Sequence, residues 1–163
     1  MFNNLDTLLI KVASRCNLDC SYCYVYQGQD QNWVNQPKRI SNETIDSICK
    51  SIDQVTSFQN NGFAVVLHGG EPLLLGSVKL KELLSKLRRV LPNYDKYPIA
   101  IQTNGILLSD EIIEICSHYK TSISVSLDGV KKSNDIARFT HDGQSSFQKV
   151  INGIDKLIAH PEN

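Results

Sequence analysis

Three cysteines, Cys16, Cys20 and Cys23, fall within eight residues in the spacing C-x3-C-x2-C, directly after the first apolar run of the chain. Their number decides the chemistry they suit. Structural and electron-transfer iron–sulfur clusters are normally held by four thiolates, so three leave one iron of a cubane without a protein ligand. An open metal position marks a site that binds and acts on something, as it does in zinc enzymes. Zinc itself would need a fourth ligand at suitable spacing, and no His or Cys follows the triplet closely.

Further polar groups recur at regular intervals. His68-Gly69-Gly70-Glu71-Pro72, Gln102-Thr103-Asn104-Gly105 and Ser124 to Gly129 each follow or end an apolar run. The runs read as strands: Leu8–Ala13, Ala64–His68, Ile99–Gln102 and Ile123–Leu127. Helices alternate with them. Ser41 caps one that runs to Val55, with Ile45, Ile48, Ile52 and Val55 at helical spacing. The next turns Val78, Leu80, Leu83, Leu84, Leu87 and Leu91 inward and stops at Pro92. A third starts at Ser109, where Leu108 and Ile113 are placed for a hydrophobic staple. The last carries Phe147, Val150, Ile151, Ile154, Leu157 and Ile158 on one face.

Four β-α units in a row predict an α/β fold with parallel strands covered by helices. The fourth strand alternates Ile123, Val125 and Leu127 with Ser124 and Ser126. Its polar face suggests a barrel whose lumen holds a ligand. Four units do not close a barrel, so residues 1–163 are expected to be a truncated core domain. Every polar group lies at a strand's C-terminal end, the rim where parallel α/β folds build active sites.

Taken together, the cysteine triplet, the GGEP run, the QTNG run and the SLDG run resemble the radical S-adenosylmethionine (radical SAM) enzymes over nearly the whole chain. Within them, Ser14-Arg15-Cys16-Asn17, Tyr24-Val25-Tyr26, Trp33 to Pro37 and His68 to Leu74 are most similar to the peptide maturases that carry a C-terminal auxiliary-cluster (SPASM) domain. That domain is expected to be absent from these residues. The similarity is greatest to cyclophane-forming maturases of ribosomally made peptides, with anaerobic sulfatase maturases as near relatives.

The resemblance implies a partial (β/α)6 TIM-like barrel and two cofactors. Cys16, Cys20 and Cys23 would bind a 4Fe–4S cluster, and S-adenosylmethionine (AdoMet) would chelate its open iron. Tyr22 would pack near the adenine. Gly69, Gly70 and Glu71 would meet the methionine amino group, the glycines by letting the backbone approach. Ser126 and Arg138 would hold the methionine carboxylate or the ribose, which suits the planar fork of arginine. Asn104 and Thr103 would line the cofactor pocket, with Gln102 toward the substrate. The implied reaction cleaves AdoMet reductively and abstracts hydrogen from a precursor peptide or protein. A reductant such as flavodoxin or ferredoxin is the implied electron donor. Sulfatase maturation to formylglycine and a fragment that only binds a partner are the alternatives.

Composition excludes other classes. Lysine plus arginine and aspartate plus glutamate number 17 each, which argues against a nucleic-acid or anionic-membrane surface. No apolar run is long enough to span a membrane and the N-terminus has no signal pattern, so a cytoplasmic location is expected. The five cysteines read as metal-binding or reduced rather than disulfide-bonded, with Cys49 and Cys116 as core thiols. Outside the triplet the motifs also admit plainer readings. His68 reads as a packed strand-end residue, Asp128-Gly129 as a turn, and His141-Asp142-Gly143 as a loop. Trp33 either covers the cluster or touches substrate.

Overall fold

The computed structural model describes residues 4–160. Four strands, β1 (Thr7–Ala13), β2 (Ala64–Gly69), β3 (Ile99–Thr103) and β4 (Thr121–Val125), form one sheet in the order β1-β2-β3-β4. All pairings are parallel. The helices α1 (Asn42–Phe58), α2 (Ser77–Val90) and α3 (Asp110–His118) connect successive strands. A short α4 (Lys131–Asn134) and α5 (Phe147–Ala159) follow β4. This is the consecutive parallel order of a barrel wall, as the repeated β-α pattern predicts.

The pleat sorts the strand residues onto two faces. Ile10, Val12, Val65, Leu67, Ile99 and Ile101 are buried against helix residues such as Ile45, Ile52, Leu83, Leu84, Leu87 and Ile113. The opposite face carries Leu9, Lys11, Val66, His68, Ala100, Gln102, Ser122 and Ser124, none of them fully buried. It is the concave, polar face expected of a lumen.

Capping follows the sequence closely. Ser41 accepts a hydrogen bond from the Thr44 N–H and Ser109 one from the Ile112 N–H, each starting its helix. Leu108 and Ile113 are both buried, as the staple requires. Cys116 is buried and Cys49 packs against the core, as expected.

Two inward assignments are corrected. Val78 is 82% exposed and Ile158 is 70% exposed. Val78 lies two positions from Leu80, about 200° around the helix, and Ile158 follows Leu157 by about 100°, so neither shares the buried stripe. The fourth strand also begins and ends two residues earlier than predicted, at Thr121 and Val125. Its last ladder bond runs from Ser126 N–H to the Thr103 carbonyl at 2.8 Å, after which the chain turns at Gly129 with a φ of 79°.

The N-terminal end of the sheet is tied by one buried cation. Arg88 donates to the carbonyls of Tyr97, Tyr119 and Lys120, joining α2 to the entry of β3 and β4. Among the described residues, no helix is long and apolar enough to cross a membrane.

Candidate functional site

The site is built at the C-terminal rim, beginning with the loop after β1. Its backbone is braced by a segment more than a hundred residues away. Asp19 N–H donates to the Phe139 carbonyl at 2.8 Å and Ser21 N–H to the Ala137 carbonyl at 2.9 Å. Leu18 is buried beneath the loop and bridges Thr140. A ring nitrogen of His141 lies 3.0 Å from the Cys16 carbonyl oxygen. The His141 loop, read from sequence as a plain loop, therefore helps fix the loop that bears the thiols.

The three thiols sit half-buried on this frame. Burial pushes Cys16 up to about 11 against its ordinary 9.0. Cys20 is raised as well, by burial, with Arg138 pulling the other way. Among the described residues, no group of three or more His, Cys, Asp or Glu converges on one metal ion. A cubane cluster gives each thiolate its own iron and needs no such convergence. The three-thiol donor set thus fits a 4Fe–4S cluster with one iron left without a protein ligand.

Glu71 lies across from the loop and is 1% exposed. Its Oε1 accepts from Leu73 N–H at 3.0 Å and Thr103 Oγ1 at 2.6 Å, and its Oε2 from Asn104 N–H at 2.8 Å. Burial nevertheless raises its pKa, because desolvation outweighs the three donors. Glu71 caps a 3-10 turn, Pro72–Leu75, and ties the end of β2 to the end of β3. Oε2 keeps one lone pair for a further donor.

The glycines before it meet the chain's own backbone. Gly70 N–H donates to the Ala13 carbonyl at 3.0 Å and Glu71 N–H to the Arg15 carbonyl at 2.9 Å. A Cβ on Gly69, whose φ is 147°, would strike the Ala13 carbonyl, and one on Gly70 would strike the Tyr26 hydroxyl and the Arg15 carbonyl. The close approach that GGEP permits is thus between β2 and the start of the cysteine loop.

Asn104 and Thr103 are buried. Asn104 Nδ2 donates to Asn17 Oδ1 at 2.7 Å and lies 3.8 Å from Cys16 Sγ. Ser126 Oγ accepts from Gln102 Nε2 at 2.8 Å, so Gln102 is tethered along the lumen face.

Arg138, which alone would read as a solvated charge, is 7% exposed. Its Nη1 donates to the Tyr22 hydroxyl at 2.7 Å, and that hydroxyl donates to Asp128 Oδ2 at 2.7 Å. Arg138 Nη1 also lies 3.7 Å from Asp128 Oδ1. Tyr22 itself is 53% exposed. Asp128, read from sequence as a turn residue, is thus bonded to Tyr22 and faces Arg138; only its place at a strand end pointed to it. Trp33 packs edge-on against Tyr26 at 4.8 Å with Arg15 over its ring at 5.1 Å.

The cysteine loop, Glu71, Asn104 and Arg138 come from separate segments and share hydrogen bonds or electrostatic influence across one rim, and Ser126 joins them through its backbone bond to Thr103. Comparison with known proteins places the fold in a family. A family model described as the radical SAM superfamily matches residues 10–161. A cysteine-type anaerobic sulfatase-maturating enzyme of Clostridium perfringens is 31% identical over 147 residues, covering 88% of this chain and 38% of the relative. A serine-type enzyme of Bacteroides thetaiotaomicron is 31% identical, covering 96% and 37%. The solved structure "Native anSMEcpe with bound AdoMet and Cp18Cys peptide" superposes with a TM-score of 0.76 at 26% identity, covering 96% of this chain and 41% of that one. The chain spans about two fifths of the length of these relatives. The cysteine loop, the four-strand wall and a match over nearly every described residue lead to one conclusion: the chain belongs to the radical SAM superfamily.

Proposed function

We propose that this chain is the cofactor-binding core of an enzyme that modifies a peptide or protein by radical SAM chemistry. The observation that carries the reading is the three-thiol loop fastened at one rim with Glu71, Asn104 and Arg138. When bound, a 4Fe–4S cluster and AdoMet supply a one-electron cleavage that yields a hydrogen-abstracting carbon radical. The residues bind and orient. Cys16, Cys20 and Cys23 hold the cluster. Asn104 presents its amide toward Cys16, where an N–H donor stabilises thiolate charge. Arg138, aimed by Tyr22 and Asp128, is assigned with Ser126 to the AdoMet carboxylate or ribose. Thr103 holds Glu71, whose remaining lone pair suits the methionine amino group. Gly69 and Gly70 seat that carboxylate by letting β2 close on the cysteine loop.

In this reading residues 1–163 work within a longer polypeptide that carries an auxiliary-cluster domain, which the length of the relatives supports. A flavodoxin or ferredoxin serves as reductant. Cross-linking of a precursor peptide to a cyclophane is the preferred reaction, on the resemblance of the sequence as a whole to cyclophane-forming maturases. Formylglycine formation is the second reading, favoured by the names of the relatives.

Anaerobic reconstitution of the full-length protein with iron and sulfide should give a cluster whose paramagnetic signal shifts on adding AdoMet. Cys20→Ala should abolish both the cluster and AdoMet cleavage; an intact cluster in that variant overturns the ligand assignment. Mass spectrometry of a candidate peptide then separates the reactions. Loss of two hydrogens with a new carbon–carbon bond supports the cyclophane, and a hydrazide-reactive aldehyde supports formylglycine.

A further inference from the structure

A cavity of about 660 Å³ opens between β1 and the segment from Tyr24 to Arg39, beginning at Gly70 beside the cofactor site. Its size is that of a site for a multi-atom ligand rather than a lone ion. Lys11 and Arg39 line it, and neither makes an ion pair among the described residues. The one carboxylate of the lining, Asp30, already accepts a hydrogen bond from the Asn32 N–H at 2.9 Å.

The lumen face adds to this bias. Lys11 is the register partner of His68, and none of the lumen-facing residues of the four strands is acidic. Trp33 lines the same cavity, and its indole N–H is buried without an acceptor among the described residues. Its ring is fixed by Tyr26 and Arg15. The cavity therefore presents two cations free of ion pairs among the described residues, and it leads to the rim that holds the cysteines.

We infer that this cavity binds a carboxylate-bearing stretch of the peptide substrate, an Asp or Glu side chain pairing with Lys11 and Arg39. The inference rests on the peptide-modifying reading above and names the substrate class for it: an acidic peptide. Anchored here, the peptide runs past Gly70 toward the cofactor.

The test uses the full-length, cluster-loaded protein and two short fluorescein-labelled peptides, one with a central Asp-Glu pair and one with Asn-Gln in its place. Anisotropy at low ionic strength should show the acidic peptide binding about tenfold tighter, as charge-assisted pairing predicts. Added salt should narrow the difference. Lys11→Gln should weaken the acidic peptide about tenfold and leave the amide peptide unchanged. Arg39→Gln should act in the same way, because Arg39 is the second cation of the lining. Equal affinity for the two peptides, binding of neither, or indifference to Lys11→Gln overturns the inference. AdoMet cleavage is followed in the same samples. Intact cleavage without an acidic preference rejects the peptide site alone, whereas absence of a cluster rejects the proposed function itself.

Discussion

Arg138 sets the electrostatics of the rim. A guanidinium that is 7% exposed needs partners to stay where it is, and its Nε has none among the described residues. The Tyr22 hydroxyl answers most of that need, taking a hydrogen bond from Arg138 and giving its own to Asp128. Tyr22→Phe would remove both bonds and keep the ring. The expected outcome is a retained cluster absorbance and an AdoMet affinity about tenfold weaker by calorimetry, the loss of one hydrogen bond to a charge. An unchanged affinity would confine Tyr22 to aromatic packing. The resemblance singled out Tyr22 and Arg138, but Asp128 looked like a turn. The two hydrogen bonds join residues 106 and 116 positions apart, a relation that spacing does not encode.

Among the elements, β2 crosses the cysteine loop with no room for a side chain. Gly70 sits where a side chain would collide with the Arg15 carbonyl and the Tyr26 hydroxyl. The obstacle is largely backbone, so a neighbouring side chain cannot relieve it by changing rotamer. Gly76 offers the contrast: its φ is 82°, but a Cβ there meets nothing within 4 Å. Gly70→Ala should therefore lose more stability than Gly76→Ala, at least ~2 kcal/mol against ~1 kcal/mol, as read from urea midpoints. Equal losses would mean that β2 and the loop separate easily. The resemblance implied that the GGEP glycines let backbone approach the methionine amino group. It did not show that the cysteine loop is what meets them, since that depends on how β1 and β2 pair in register. Helix faces were legible for the same reason that Val78 and Ile158 were misplaced. Periodicity locates a stripe, while the edge of the stripe depends on which neighbour packs there.

At the scale of the molecule, the parallel order and the polar lumen followed from the alternation of strand and helix. The segment after β4 did not, because Ala137 to Ser146 has no periodicity to read. It nonetheless joins the two ends of the described chain. Phe139 and Ala137 accept from the cysteine loop, and the Arg138 carbonyl accepts from Ser146 Oγ at 2.8 Å. Asn134 holds this segment in place. It is fully buried, donates from Nδ2 to Ser146 Oγ at 3.1 Å, and its carbonyl accepts from Arg138 N–H at 2.9 Å. The segment and the cysteine loop should then open together as one cooperative unit. Asn134→Ala removes the side-chain anchor and leaves every thiol in place. Hydrogen exchange should speed up at the amides of Asp19 and Ser21, more than a hundred residues from the change, while the β2 and β3 amides stay protected. The reconstituted cluster should also be lost faster to a chelator. Exchange that rises only around residue 134 would separate the two segments and assign the stability of the cysteine loop to β1 and β2 alone.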